Sequence, residues 1–346
     1  MPDAPTKPTA AERRSNRERA IDAFLEQYAD SADRDLLAEM IVTVCRLAGD
    51  KTDRGDLKLL SRAFKELRYA FKVFEPYSDV RKVSIFGSSR TPIDHPDYAQ
   101  ADAFARRMRE LHWMVITGAG DGIMRAGHDG AGPEASFGVA IRLPFEQRTN
   151  TIIADDSKLV NFNYFFTRKL LFMKEASAVA LFPGGFGTQD EGFEALTLIQ
   201  TGKSSPIPIV MVDAPGGTYW KHWKTYVERE LLSTGMISPE DMDLFAITDD
   251  VDVAVREITQ FYRRFHSSRF VGDLFVMRLQ SPLPAETIER LNDEFRGIVV
   301  TDRIVQHTGP VDGEYNEWPD KPRLSLHFDR KSIGRLRNLI DEVNRD

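Results

Sequence analysis

The sequence predicts an α/β chain: a doubly wound parallel sheet with an N-terminal helical extension and a small C-terminal α+β module. Three observations carry this. From about Arg81 to Phe265, short apolar runs alternate with stretches of helical length, which is the pattern of a parallel sheet covered on both faces. Three glycine-rich turns each follow one of those apolar runs directly. After Phe270 the rhythm changes to that of a mixed appendage.

Residues 1–17 are polar and rich in charge and proline, and are expected as a disordered tail. Residues 18–79 form the helical extension, in which Leu60, Phe64, Leu67, Phe71 and Phe74 make one apolar stripe that needs a partner. Pro76 breaks that helix. In the central domain, residues 80–266, the strand candidates are Val83–Phe86, Met114–Thr117, Phe137–Ile141, Ala178–Phe182, Ile207–Val212 and Leu244–Ile247. Residues 267–346 read as strand Val271–Leu279, helix Ala285–Phe295, strand Ile298–Ile304, a Gly/Pro/Asp-rich loop, strand Arg323–Phe328 and helix Ser332–Val343.

Composition narrows the function. A chain of 346 residues buries a full core, and its net charge of −7 argues against a nucleic-acid or anionic-membrane surface. The single cysteine, Cys45, excludes an internal disulfide and a cysteine zinc cluster and fits a cytoplasmic protein. No apolar run reaches the length of a membrane span, and the N-terminus lacks the apolar core of a secretory signal. The seven histidines show no paired metal spacing, so no metal is expected.

The most informative segment is Pro183-Gly184-Gly185-Phe186-Gly187-Thr188-Gln189-Asp190-Glu191. It follows the apolar run 178–182 and precedes a helical pattern through Phe193, Leu196 and Ile199. Glycines there bring backbone N–H groups close to a ligand, and the start of a helix favours an anion. The turn thus reads as a phosphate site with a carboxylate, Glu191, beside it. Thr188-x-x-Glu191 also spells a capping box, in which the two residues serve only the helix end. Gly87-Ser88-Ser89-Arg90 and Thr117-Gly118-Ala119-Gly120-Asp121-Gly122 are the other two turns. The second departs from the GxGxxG fingerprint, because Ile123 stands where the last glycine belongs. Met124 reads equally as core or as pocket wall, Asp121 as a turn former, His128 as structural or surface. Phe162, Tyr164, Phe165 and Phe166 read as packing more readily than as a stacking platform.

PGGFGTQDE fits the pattern PGGxGTxxE of the Lonely Guy family, also labelled lysine-decarboxylase-like. VSIFGSSR, TGAGDGIMRAGHDGAG, GVAIRLPFEQRTN and FFTRK resemble further family segments of the long bacterial form, with Ala119 where many members carry glycine. The resemblance covers about Arg81 to Phe265. It implies a Rossmann-like homodimer or higher homo-oligomer that hydrolyses a nucleoside 5′-monophosphate, such as AMP or a cytokinin riboside monophosphate, to free base and ribose 5-phosphate. The implied catalytic residues are Glu191 and Arg168. Gly184, Gly185, Gly187, Thr188, Ser88, Ser89, Gly118, Gly120, Met124, Lys169 and Glu194 are the candidates for substrate binding. The chemistry agrees: a carboxylate stabilises the positive charge of an oxocarbenium-like ribose, and an arginine fork holds phosphate or sugar oxygens. No organic cofactor is expected. Pyridoxal-phosphate chemistry is disfavoured, because no lysine is marked with an acid partner for the pyridine nitrogen. A nucleotide-binding regulator without catalysis is the rival from another class. The C-terminal module, lacking a catalytic signature, is expected to serve regulation or assembly.

Overall fold

The computed structural model describes residues 10–28, 33–143, 149–314 and 317–345. The N-terminal residues 1–9 of the expected tail, and residues 144–148 of the GVAIRLPFEQRTN segment, lie outside the described residues. The chain divides into two compact units, Met1–Lys65 and Glu66–Asp346.

The first unit holds helices α1 (Ala10–Glu26), α2 (Arg34–Gly49) and the start of α3 (Arg54–Phe74). Helix α1 begins inside the segment expected as a tail, because alanine, glutamate and arginine favour helix despite the charge. Helix α3 stops at Phe74, two residues before Pro76, as the missing N–H of proline requires.

The second unit is built on seven parallel strands: β1 (Lys82–Phe86), β2 (Met114–Thr117), β3 (Ser136–Ile141), β4 (Leu159–Phe162), β5 (Ala178–Leu181), β6 (Ile209–Val212) and β7 (Phe245–Thr248). Their order across the sheet is β4-β3-β2-β1-β5-β6-β7. The chain winds outward from β1 in one direction, then crosses to β5 and winds outward in the other. The topological switch point therefore lies between β1 and β5, where ligands of such sheets bind. Strand β4 was not foreseen: it is four residues long, and its Lys158 and Asn161 surroundings obscure the apolar run.

Successive residues face opposite sides of the sheet, as the period of two demands. Met114, Ile116, Val179, Leu181, Ile209 and Met211 enter one core, whereas Val83, Ile85, Val115, Ala180 and Val210 enter the other. Helices α4 (Pro96–Glu110), α5 (Ile123–Ala131) and α9 (Val251–Phe261) supply Phe104, Met108, Ile123 and Ile258 to the second core. Helices α6 (Phe165–Glu175) and α7 (Phe186–Gln200) supply Leu171, Phe172, Ala195 and Ile199 to the first. Helix α8 (Tyr219–Tyr226) buries Trp220 there as well. The apolar stripe of α3 reaches this core through Phe74, whose ring stacks on Phe137 at 4.3 Å.

The C-terminal part comprises β8 (Phe265–Val271), β9 (Leu274–Leu279), α10 (Ala285–Glu294), β10 (Val305–His307), β11 (Arg323–Leu326) and α11 (Ile333–Arg345). Its four strands form an antiparallel sheet of order β10-β11-β9-β8. Two sequence expectations need correction. The run Val271–Leu279 is split, because Gly272, at φ +59°, turns the chain into a hairpin between β8 and β9. The run Ile298–Ile304 is not a strand: Arg296–Ile298 is a 3₁₀ turn, and Ile298 and Ile304 plug the core from irregular backbone. The module also shares the core of the central sheet, into which Phe275, Leu324 and Leu339 pack. Asn344 ties α11 to the end of α9, donating to Phe261 O at 2.6 Å and accepting from the Phe265 amide at 2.9 Å.

Candidate functional site

The three glycine turns converge at the carboxyl edge of the sheet. Two meet across the switch point: the Ser88 amide donates to Pro183 O at 3.0 Å, and the Phe182 amide donates to Phe86 O at 2.8 Å. Together with Gly118 and Met124 of the second turn they line a cavity of about 800 Å³. Ser88, Ser89, Gly184, Gly185, Gly187, Thr188, Arg168 and Glu191 line the same cavity. Gly120, Lys169 and Glu194 do not.

Helix α7 begins at Phe186, with Gly185 as its cap residue and no side-chain cap bond. The helix thus starts three residues earlier than a Thr188 cap requires. Thr188 is inside the first turn, only 5% exposed, and the capping box is not formed. Glu191 is correspondingly released from the helix end. The early start leaves the first-turn amides without intrahelical acceptors, on residues that line the cavity. The glycines of the turn differ in what holds them. A side chain on Gly184 would run into Thr188 and come within 2.9 Å of the Ser88 amide nitrogen, so packing demands glycine there. Gly185 and Gly187 face open space. At these two positions only a ligand would profit from the missing side chain.

Arg168 comes from the first turn of α6. Its Nε donates to Val139 O at 3.0 Å, and its guanidinium lies 5.2 Å from the Phe172 ring centroid. Gly118 makes room for it: a Cβ there would lie 2.5 Å from Arg168 Nη2 and 2.7 Å from Met124 Sδ. Burial lowers the Arg168 pKa, with the charge of Glu191 acting in the opposite sense.

Glu191 is the most perturbed carboxyl in this cavity. Burial pushes its pKa up to about 7, against the pull of Lys169 and Arg168 and with the help of Glu194 and Asp190. Burial of a carboxylate disfavours the charged form, and two cations do not fully offset it here. A carboxyl titrating near neutrality is suited to proton transfer at physiological pH. Lys169 has a different setting from its neighbour Arg168. Its Nζ is 2.8 Å from Glu194 Oε2 and 2.9 Å from Asp190 Oδ2. Burial works against the Lys169 charge, but these two bonds outweigh it and raise its pKa. Lys169 and Glu194 stay out of the cavity lining and act on Glu191 through charge, whereas Asp190 also lines the cavity.

The second turn is held from behind. Asn150 Nδ2 donates to Gly120 O at 2.9 Å, and the Asn150 amide donates to Ala119 O at 2.9 Å. His128 is fully buried, with Nε2 at 3.1 Å from Phe137 O. A carbonyl only accepts, so Nε2 carries the proton and Nδ1 is free to accept from Asn150 at 3.1 Å. Burial lowers the His128 pKa, consistent with this neutral structural role. Ala119 adopts φ +63°, the left-handed region that favours glycine. Asp121 is exposed and outside the cavity lining.

Tyr219 belongs to the site without having been foreseen. Its hydroxyl donates to Gly184 O at 2.5 Å and accepts from Gln189 Nε2 at 2.6 Å, and its ring lines the cavity. The available signal was a further glycine turn, Pro215-Gly216-Gly217, after another strand. Arg90 and Phe186 also line the mouth, and Phe186 is 97% exposed. Of the aromatic cluster, Phe165 lines the cavity, Phe162 is core, and Tyr164 stacks on Phe166 at 5.4 Å. Among the described residues no group of three or more His, Cys, Asp or Glu could hold a metal ion. No described helix is long and apolar enough to cross a membrane.

Known proteins are similar to part of the chain. Residues 119–258 match the family model described as "Possible lysine decarboxylase". The cytokinin riboside 5′-monophosphate phosphoribohydrolase of Mycobacterium tuberculosis is 33% identical over 105 residues, which are 30% of this chain and 52% of the relative. The chain thus spans about half the length of that curated relative. Among solved structures, an X-ray structure from a structural-genomics consortium aligns at 21% identity over 52% of this chain and 99% of its own, with a TM-score of 0.39. The molybdenum cofactor carrier protein of Chlamydomonas reinhardtii aligns at 17% identity over 52% of this chain and 97% of its own, with a TM-score of 0.37. PGGFGTQDE and the Arg168 helix lie inside the matched segment, residues 119–258, which is similar to the Lonely Guy, lysine-decarboxylase-like family.

Proposed function

We propose that this protein hydrolyses the N-glycosidic bond of a nucleoside 5′-monophosphate, of the AMP or cytokinin riboside type. Water adds to C1′ and gives up a proton to Glu191, the bond to the base breaks with its electrons leaving on the base, the base takes up a proton, and free base and ribose 5-phosphate result. The observation that supports this best is the shared cavity of the Gly184–Thr188 turn, Arg168 and the raised-pKa carboxyl of Glu191. The 5′-phosphate binds the open amides of the turn. Arg168 holds phosphate or ribose oxygens with its planar fork. Glu191, ionised, stabilises the oxocarbenium-like charge and takes a proton from the attacking water. Binding energy from the remote phosphate orients the ribose, so the corresponding nucleoside is a much poorer substrate. The protein works without metal or organic cofactor, as a cytoplasmic homodimer or larger homo-oligomer.

The test is release of ribose 5-phosphate from AMP and from a cytokinin riboside monophosphate by the purified chain, with adenosine as control. Turnover of a monophosphate and not of the nucleoside is expected. Tight nucleotide binding with no ribose 5-phosphate from any monophosphate would replace hydrolysis with a sensing role.

A further inference from the structure

Helix α3 carries a carboxylate with an unusual commitment. Glu66 is 7% exposed, although it sits next to Lys65 on a largely polar stretch. Its Oε1 accepts from the Asn163 amide at 2.9 Å and from Asn163 Nδ2 at 2.6 Å. Its Oε2 accepts from Thr167 Oγ1 at 2.8 Å. All three donors lie in the five residues between the end of β4 and Arg168. A carboxylate taken out of water is costly unless its lone pairs are filled, and here both oxygens are filled by neutral donors of one segment. Its charge also faces the start of α6, the end of a helix that favours an anion.

We infer that Glu66 is the positioning residue for Arg168. It clamps the β4–α6 junction and so sets the register and tilt of the turn from which Arg168 reaches the cavity. Arg168 has little freedom to compensate, because its Nε is bonded to Val139 O and its fork abuts the bare backbone of Gly118. A small shift of the first turn of α6 therefore moves the guanidinium against the phosphate turn, which Glu66 does not touch. The rate measurements below rest on the hydrolase reading above; the spectroscopic measurement does not.

The experiment uses the full chain with AMP as probe. Glu66→Ala should lower kcat on the order of 10-fold or more, since misplacement by about 1 Å can cost 10²-fold, and should leave KM for AMP within about threefold. Glu66→Gln should recover most of the rate, because its amide oxygen still accepts from Asn163 and Thr167 can turn its hydroxyl. In an Arg168→Ala background, Glu66→Ala should cost nothing further, the non-additivity of residues that act through one another. Thr167→Val, which removes one clamp donor, covers the case in which Glu66→Ala does not fold, and should lower kcat in the same sense. Independently of turnover, the Arg168 Nε–H signal in the ¹H–¹⁵N spectrum should shift or broaden in Glu66→Ala or Thr167→Val and return in Glu66→Gln. An unmoved signal in folded variants, or an equal rate loss with and without Arg168, would overturn the inference. Absence of AMP hydrolysis by the wild type would overturn the hydrolase reading, and the spectrum would still decide the role of Glu66.

Discussion

Gly118 and Arg168 come from different strand-end segments, yet one is shaped around the other: a Cβ on Gly118 would stand 2.5 Å from Arg168 Nη2. The glycine is at the end of β2 and the arginine on α6, and neither is informative without the other. Gly118→Ala should therefore fold and displace the guanidinium. A fall in kcat on the order of 10²-fold is expected, as for a misplaced orienting group. Wild-type kcat in the folded variant would remove Arg168 from the chemistry.

Glu191→Gln separates chemistry from packing, because no capping box is present to be lost. Removing the negative charge should lower kcat on the order of 10²-fold or more. Stability should move the other way. The folded pKa is raised from 4.5 to about 7, so the wild-type carboxyl destabilises the fold progressively as pH rises through that window. The glutamine variant should melt higher than wild type at pH 8, with the gap closing toward pH 4.5. Thermal melts across that range, beside ribose 5-phosphate release, check both halves.

If the ionised form of Glu191 acts, kcat/KM should rise with pH through about 7 in the wild type and lose that limb in Glu191→Gln. Lys169 lowers the Glu191 pKa by its charge. Lys169→Met should shift the limb to higher pH while leaving the high-pH plateau within a few fold. A limb that stays in place would mean that Lys169 does not tune the carboxyl.

The turn glycines should respond unequally. Gly184→Ala meets Thr188 and the Ser88 amide and should destabilise the protein by about 1–3 kcal/mol, the usual range for overpacking. Gly185→Val projects into open space and should fold normally. There the cost should appear as weaker AMP binding, measured by calorimetry, because the valine occupies the approach to the turn. Unchanged affinity in Gly185→Val would place the phosphate elsewhere.

Deleting residues 270–346 should abolish cooperative folding rather than yield a trimmed core. The sequence suggested a removable appendage, but the deletion strips Phe275, Leu324 and Leu339 from the core of the central sheet. It also removes Arg337, which pairs with Glu257 at 2.8 Å. Each fully buried side chain of that size contributes about 1.5–3 kcal/mol. A sharp thermal transition in the truncated chain would show that the module is separable.

Sequence by itself determined the parallel sheet, six of its seven strands and the glycine turn into α7, because these depend on local signals: period-two apolar runs, and glycines where the backbone must bend or lie bare. It also supplied Glu191 and Arg168 as candidates, through their spacing within a resemblance. Only the tertiary structure decided that α7 starts at Phe186, which releases Glu191 from a cap, and that Lys169, itself outside the cavity lining, binds Asp190 and Glu194. It alone brought Glu66 to Thr167, 101 residues away in the chain, and Tyr219 to Gly184, 35 residues away. The reason is physical. Hydrogen-bond partners across the switch point, and the desolvation that raises the Glu191 pKa, arise from distant segments meeting in a common core, and no local pattern encodes such a meeting.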